Sequence, residues 1–99
     1  MIVVAGSVPI KPEKLDELRT AAKAVCAATR EEHGCVSYDF SLDLQNPTLM
    51  RIFEQWETGG DLDAHLAQPH TRRFLGQLGA MAAGAPDVKR YVVERVEAL

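Results

Sequence analysis

The feature that most constrains this chain is a change of period at Gly34. From Pro12 to His33, residues Leu15, Leu18, Ala22, Val25 and Thr29 recur at steps of three and four, the spacing of one helix face. Glu13, Lys14, Glu17, Lys23 and Arg30 fall mostly elsewhere on the wheel. Pro12 suits a first helical turn, where its missing N–H costs nothing, and Gly34 suits the left-handed residue that closes a helix. From Cys35 the step becomes two: Val36, Tyr38, Phe40 and Leu42 share one face, and Ser37, Asp39, Ser41 and Asp43 the other, as in a half-buried strand.

The turn residues Gln45-Asn46-Pro47-Thr48 then separate this strand from a second over residues 49–57, which puts Met50, Ile52, Glu54 and Trp56 together. A turn centred near Asn46 sets Tyr38 opposite Glu54 and Val36 opposite Trp56. Upstream, the β-branched run at residues 2–8 reads as a central strand. Downstream, Thr58 and Asp61 have capping-box spacing, so a short helix is expected from about Gly59 to Ala67, ending before Pro69. His70-Thr71 opens another helix with the stripe Phe74, Leu75, Leu78 and Met81, and Val88 to Val96 reads as a last strand.

The order β-α-β-β-α-α-β fits an α+β fold of the ferredoxin-like, split β-α-β kind: a four-stranded antiparallel sheet with helices on one face. The other face would leave Leu49, Phe53, and either Tyr91 with Val93 or Val92 with Val96 in water, and a second copy of the chain is the simplest cover. With 99 residues, 46% of them hydrophobic and 25% charged, the chain is expected to fold as one domain over residues 1–99.

Composition also narrows the functions. Eleven basic against fourteen acidic residues give a net charge of -3, and the Ser37–Asp43 strand is acidic, which argues against nucleic acid as a partner. No window approaches the roughly 20 apolar residues of a membrane span. Met1 leads straight into Ile2-Val3-Val4 with no basic segment or cleavage site, so the cytoplasm is the expected compartment. Cys26 and Cys35 form no CxxC pair. No dinucleotide, P-loop or GxSxG motif occurs. Among His33, His65 and His70 there is no HExxH, and Pro69 interrupts the HxxxxH of His65 and His70, so neither metal nor cofactor is expected.

Four positions could carry chemistry. Leu62, His65 and Leu66 fall at i, i+3 and i+4, so His65 shares an inward stripe, either satisfying a buried polar neighbour or acting as a base. Glu54, between Ile52 and Trp56, needs a partner such as Tyr38, His65, Arg72 or Arg73; it is a structural ion pair or a pocket carboxylate. Trp56, with Tyr38, Phe40 and Phe74, is either core or the wall of a flat apolar pocket. His70 caps a helix start or stands at the pocket mouth.

Taken together, Glu32-His33-Gly34-Cys35-Val36-Ser37-Tyr38, Asn46-Pro47, Glu54-Gln55-Trp56-Glu57, and His65-Leu66 through Pro69-His70 to Phe74 resemble the antibiotic biosynthesis monooxygenase family over nearly the whole chain. The resemblance implies a dimeric α+β barrel with protomers packed sheet against sheet and one pocket in each. It also implies oxidation of a quinol- or anthrone-like aromatic by molecular oxygen without metal, flavin or haem. By position, Trp56, Tyr38 and Phe74 would then line the ring site, with His65 and Glu54 as base or hydrogen-bond partner. Similar small dimers include an isomerase of a phosphorylated hydroxy-dione, for which Arg72 or Arg73 would supply the cation. A non-catalytic dimeric small-molecule binder would show the same core. The haem-degrading relatives use an Asn on the first strand; here that strand offers Gly6 and Ser7, and the only asparagine is Asn46.

Overall fold

The computed structural model describes Met1–Leu99. Its elements are β1 (Ile2–Pro9), a short 3-10 turn (Pro12–Lys14), α1 (Leu15–Arg30), β2 (Cys35–Leu42), β3 (Leu49–Trp56), α2 (Gly59–Leu66), α3 (Pro69–Met81) and β4 (Asp87–Val92). The four strands form one antiparallel sheet in the order β2-β3-β1-β4, the ferredoxin-like α+β arrangement expected from the element order.

Each element follows from local chemistry. Pro12 stands in the first turn ahead of α1, which ends at Arg30, short of His33, and Gly34 with φ +80° carries the chain into β2. Leu18, Val25 and Cys26 of α1 pack with Phe74, Leu78 and Met81 of α3 over the inner sheet face, where Val8, Met50, Tyr38 and Trp56 complete the core. Asp61 N–H donates to Thr58 Oγ1 (3.1 Å) and the Thr58 hydroxyl donates back to Asp61 Oδ2 (2.8 Å), so the expected capping box starts α2 with an aspartate in the usual glutamate position.

The hairpin register is the expected one from Ser37 onward: Tyr38 lies opposite Glu54 and Phe40 opposite Ile52. It fails one step earlier. A β-bulge between Cys35 and Ser37 makes Cys35, and not Val36, the partner of Trp56, and Val36 is 50% exposed. The extra residue turns the strand start without disturbing the pleat downstream. Three other expectations need correction. Leu66 and Leu75 stand on the outer edges of their stripes and are exposed, whereas Thr71 is buried. The last strand stops at Val92, well before Val96.

Gly6 sits where β1 and β4 approach closely, for a side-chain Cβ there would collide with the Asp87 carbonyl and Val88 Cα. On the outer face Phe53 and Tyr91 are 44% and 48% exposed. Tyr91 pairs with Val3 on that face while Val92 pairs with buried Ile2, and Val93 and Val96, the expected companions, lie beyond the strand. No helix is long and apolar enough to cross a membrane.

Candidate active site

A cavity of about 330 Å³ lies between the inner sheet face and α2 and α3, near the lower end of the range for small-molecule pockets. Strand pairing builds its floor: Tyr38, Glu54, Val4 and Arg90 form one row across β2, β3, β1 and β4. Phe40 and Phe74 stand in one wall with rings stacked at 5.3 Å and 26°. His65 and Thr71 close the side toward α2 and α3, and Val88, Lys89 and Arg90 the side toward β4. A second cavity of about 290 Å³, between α1 and β2, holds no acid or imidazole and only Arg19 as a charged group.

His65 is 2% exposed and belongs to the core, as its place on the α2 stripe requires. Its Nδ1–H donates to Glu32 Oε2 at 2.8 Å, with Thr71 Oγ1 also within reach at 3.2 Å. Because a carboxylate only accepts, this contact fixes the proton on Nδ1 and leaves Nε2 as the lone-pair nitrogen of a residue that lines the cavity. The same Glu32 Oε2 accepts from His70 Nε2 at 2.8 Å. Trp56 lies against the imidazole face (4.7 Å between ring centres, 34°) and Tyr38 against its edge (5.2 Å, 65°), so the ring is clamped in plane as well as in tautomer.

Glu54 finds a partner that the sequence reading did not name. Trp56 Nε1–H donates to Glu54 Oε1 at 2.9 Å; the contacts expected from Tyr38, His65, Arg72 or Arg73 are not made. Burial pushes the Glu54 carboxyl up to about 7, the Trp56 N–H pulls it down, and the charge of Glu32 raises it further. Near neutrality this group is therefore divided between acid and carboxylate. Burial also pushes the Tyr38 phenol far above its ordinary range, with the Glu54 charge adding to the effect, so Tyr38 stays a neutral hydroxyl.

Of the expected site residues, the structure brings His65, Glu54, Tyr38 and Phe74 to one cavity. Trp56 does not wall it: fully enclosed, it stands behind His65 and holds Glu54. Arg72 also lies outside, because one step past buried Thr71 on a helix turns a side chain about 100° toward solvent. The cations at the cavity are Arg90, which also pairs with Asp63 Oδ1 at 3.1 Å, and Lys89, which pairs with Asp87 Oδ1 at 2.7 Å. Sequence reasoning missed Glu32, Thr71 and Arg90. Glu32 carried one available signal, its place in the helix-to-strand junction segment.

The sequence profile of the antibiotic biosynthesis monooxygenase family matches residues 1–77. The chain belongs to that family. An uncharacterized protein of Synechocystis sp. is 30% identical over 98 residues, which span 99% of this chain and 67% of that one. Among solved structures, a candidate antibiotic biosynthesis monooxygenase from Deinococcus radiodurans superposes with a TM-score of 0.91 at 26% identity, covering 100% of this chain and 98% of that one. A conserved protein from Methanosarcina mazei gives 0.88 at 28% identity over 91% of this chain and 89% of that one. The cavity, the Glu32–His65 pair and the Trp56–Glu54 pair thus lie on the fold of this monooxygenase family.

Proposed function

We propose that the protein is a cofactor-independent monooxygenase that oxidises a quinol- or anthrone-like aromatic with molecular oxygen. The observation that carries this reading is His65: a clamped imidazole with its proton held on Nδ1 by Glu32 and Nε2 left for the cavity. In the reaction, Nε2 takes the acidic proton of the bound ring, and Glu32 stabilises the imidazolium that results. The substrate anion passes one electron to oxygen, and recombination of the radical pair forms a carbon–oxygen bond and a hydroperoxide. Loss of water from the hydroperoxide leaves the quinone, so one oxygen atom goes to product and one to water. Tyr38, Phe40 and Phe74 hold the flat ring away from solvent. Glu54, with its carboxyl near neutrality, supplies a proton to the departing oxygen. Trp56 positions both His65 and Glu54.

The experiment is oxygen consumption by metal-stripped, haem-free protein with naphthoquinols and anthrones, corrected for autoxidation. Saturable uptake that falls in His65→Ala supports the reading, and uptake no faster than autoxidation overturns it. Arg90 on the cavity wall favours one second reading, isomerisation of a phosphorylated hydroxy-dione, with Arg90 in place of Arg72 as the phosphate partner. That enzyme would convert substrate without consuming oxygen, and a non-catalytic binder would retain an aromatic without turnover. We also propose a homodimer through the outer sheet face that exposes Phe53 and Tyr91. Light scattering should give twice the chain mass, and a monomer after Phe53→Glu.

A further inference from the structure

We propose that Glu32, His65 and His70 form a binding site for one divalent transition-metal ion of the zinc class. The three donors come from the α1–β2 turn, α2 and α3, and their ligand atoms all lie within 4.8 Å of one another. Pro69, which separates the two histidines in the sequence, is the first residue of α3. The break it makes between α2 and α3 is what lets the two rings converge. Both nitrogens already point at a single oxygen, 2.8 Å away in each case.

Zinc holds imidazole nitrogen and carboxylate oxygen at about 2.0–2.2 Å, which sets tetrahedral neighbours roughly 3.4 Å apart. An ion therefore requires the Glu32 oxygen to withdraw by about half an ångström and the two nitrogens, no more than 4.8 Å apart, to close toward that spacing. Two imidazoles and one carboxylate select zinc, cobalt or nickel over the all-oxygen preferences of magnesium and calcium. Burial suits the purpose as well. The side chains of His65 and Glu32 are 2% and 11% exposed while that of His70 is 26% exposed, so an ion enters past His70 onto ligands that are already held.

Coordination has a consequence for His65. Each ring now carries its proton on the nitrogen that would bind the metal. On coordination that proton moves to the other ring nitrogen, with no net release: to Nε2 in His65 and Nδ1 in His70. His65 would then present an N–H to the cavity where it had presented a lone pair. This consequence rests on the proposed base role of His65; the site itself does not.

Binding is therefore measured without reference to activity. Equilibrium dialysis of the full chain against zinc, with cobalt absorption spectra in parallel, is expected to give one equivalent per chain. Binding should be lost in His70→Ala and in His70→Gln, and retained in His33→Ala, whose imidazole is exposed and pairs with Asp61 on a different surface. Wild-type protein that takes up no zinc, or binding that survives both His70 substitutions, overturns the site. Zinc bound at one equivalent with oxygen uptake unchanged would overturn the base role of His65 and leave the metal site standing.

Discussion

Glutamine in place of Glu54 removes a titration and keeps a hydrogen bond, which makes the variant a clean probe of the cavity floor. The wild-type carboxyl moves from an ordinary 4.5 to about 7 on folding, chiefly through burial. One pKa unit corresponds to about 1.4 kcal/mol, so ionising Glu54 in the folded protein costs about 3 kcal/mol relative to the unfolded chain. Between pH 4.5 and 7 the folded state binds the extra proton, so stability falls as pH rises through this window and levels off above it. Glu32, Tyr38, Cys35 and Arg90 surround this position or share its row in both proteins. Those neighbours are common to both proteins, so their effects cancel in the comparison to first order. The amide oxygen of the substituted side chain would still accept from Trp56 Nε1–H. Urea unfolding of wild type and Glu54→Gln at pH 5 and pH 8.5 should therefore show stabilities within about 1 kcal/mol of each other at the lower pH and a variant more stable by about 3 kcal/mol at the higher. An offset that does not change between the two pH values would refute the argument, as would a variant less stable than wild type at pH 8.5.

The remaining predictions address the groups around that floor. Glu32→Gln should release the His65 tautomer, seen as a loss of the single Nδ1–H form in imidazole nitrogen NMR, and should lower kcat for oxygen uptake by roughly 10-fold or more through positioning alone. Trp56→Phe leaves Glu54 without its donor and should cost about 1–3 kcal/mol in chemical denaturation, with the Glu54 carboxyl titrating higher still. Gly6→Ala drives a Cβ into the backbone of β4 and should destabilise the fold by about 1–3 kcal/mol. Faster amide exchange confined to β1 and β4 would identify the cause.

Much of the fold is legible in the sequence because periodicity and punctuation agree. The α1 stripe, the Thr58–Asp61 cap, the left-handed Gly34 and the Tyr38–Glu54 pairing all follow from spacing. The bulge beside Val36 is not legible, since one inserted residue leaves no mark on composition and only its partner strand reveals it. Leu66 and Leu75 mislead for a related reason: at the rim of a stripe, neighbouring elements decide which side is covered. In the site, spacing places His65 inward and Glu54 on the apolar face, yet their partners escape it. Glu32 meets His65 across 33 residues, a distance that no local pattern reports. The donor to Glu54 is only two residues away in Trp56, but along a strand those side chains share a face, and their contact depends on how each rotates toward the other.

The bulge at Val36 gives this short junction an arithmetic of its own. Tyr38 and the residues after it are held in step by β3, whereas Glu32 is placed by the number of residues that run back from there through the bulge and Gly34. Deleting one residue at Val36 would let the pleat close regularly and carry everything upstream half a repeat around, taking the Glu32 carboxylate away from both imidazoles. Length change at Leu44–Pro47, where the chain is exposed and meets only itself, leaves those distances alone. Among proteins descended from this one, gaps should therefore gather in the hairpin turn and be absent between Glu32 and Tyr38, even where the residues in that interval have changed.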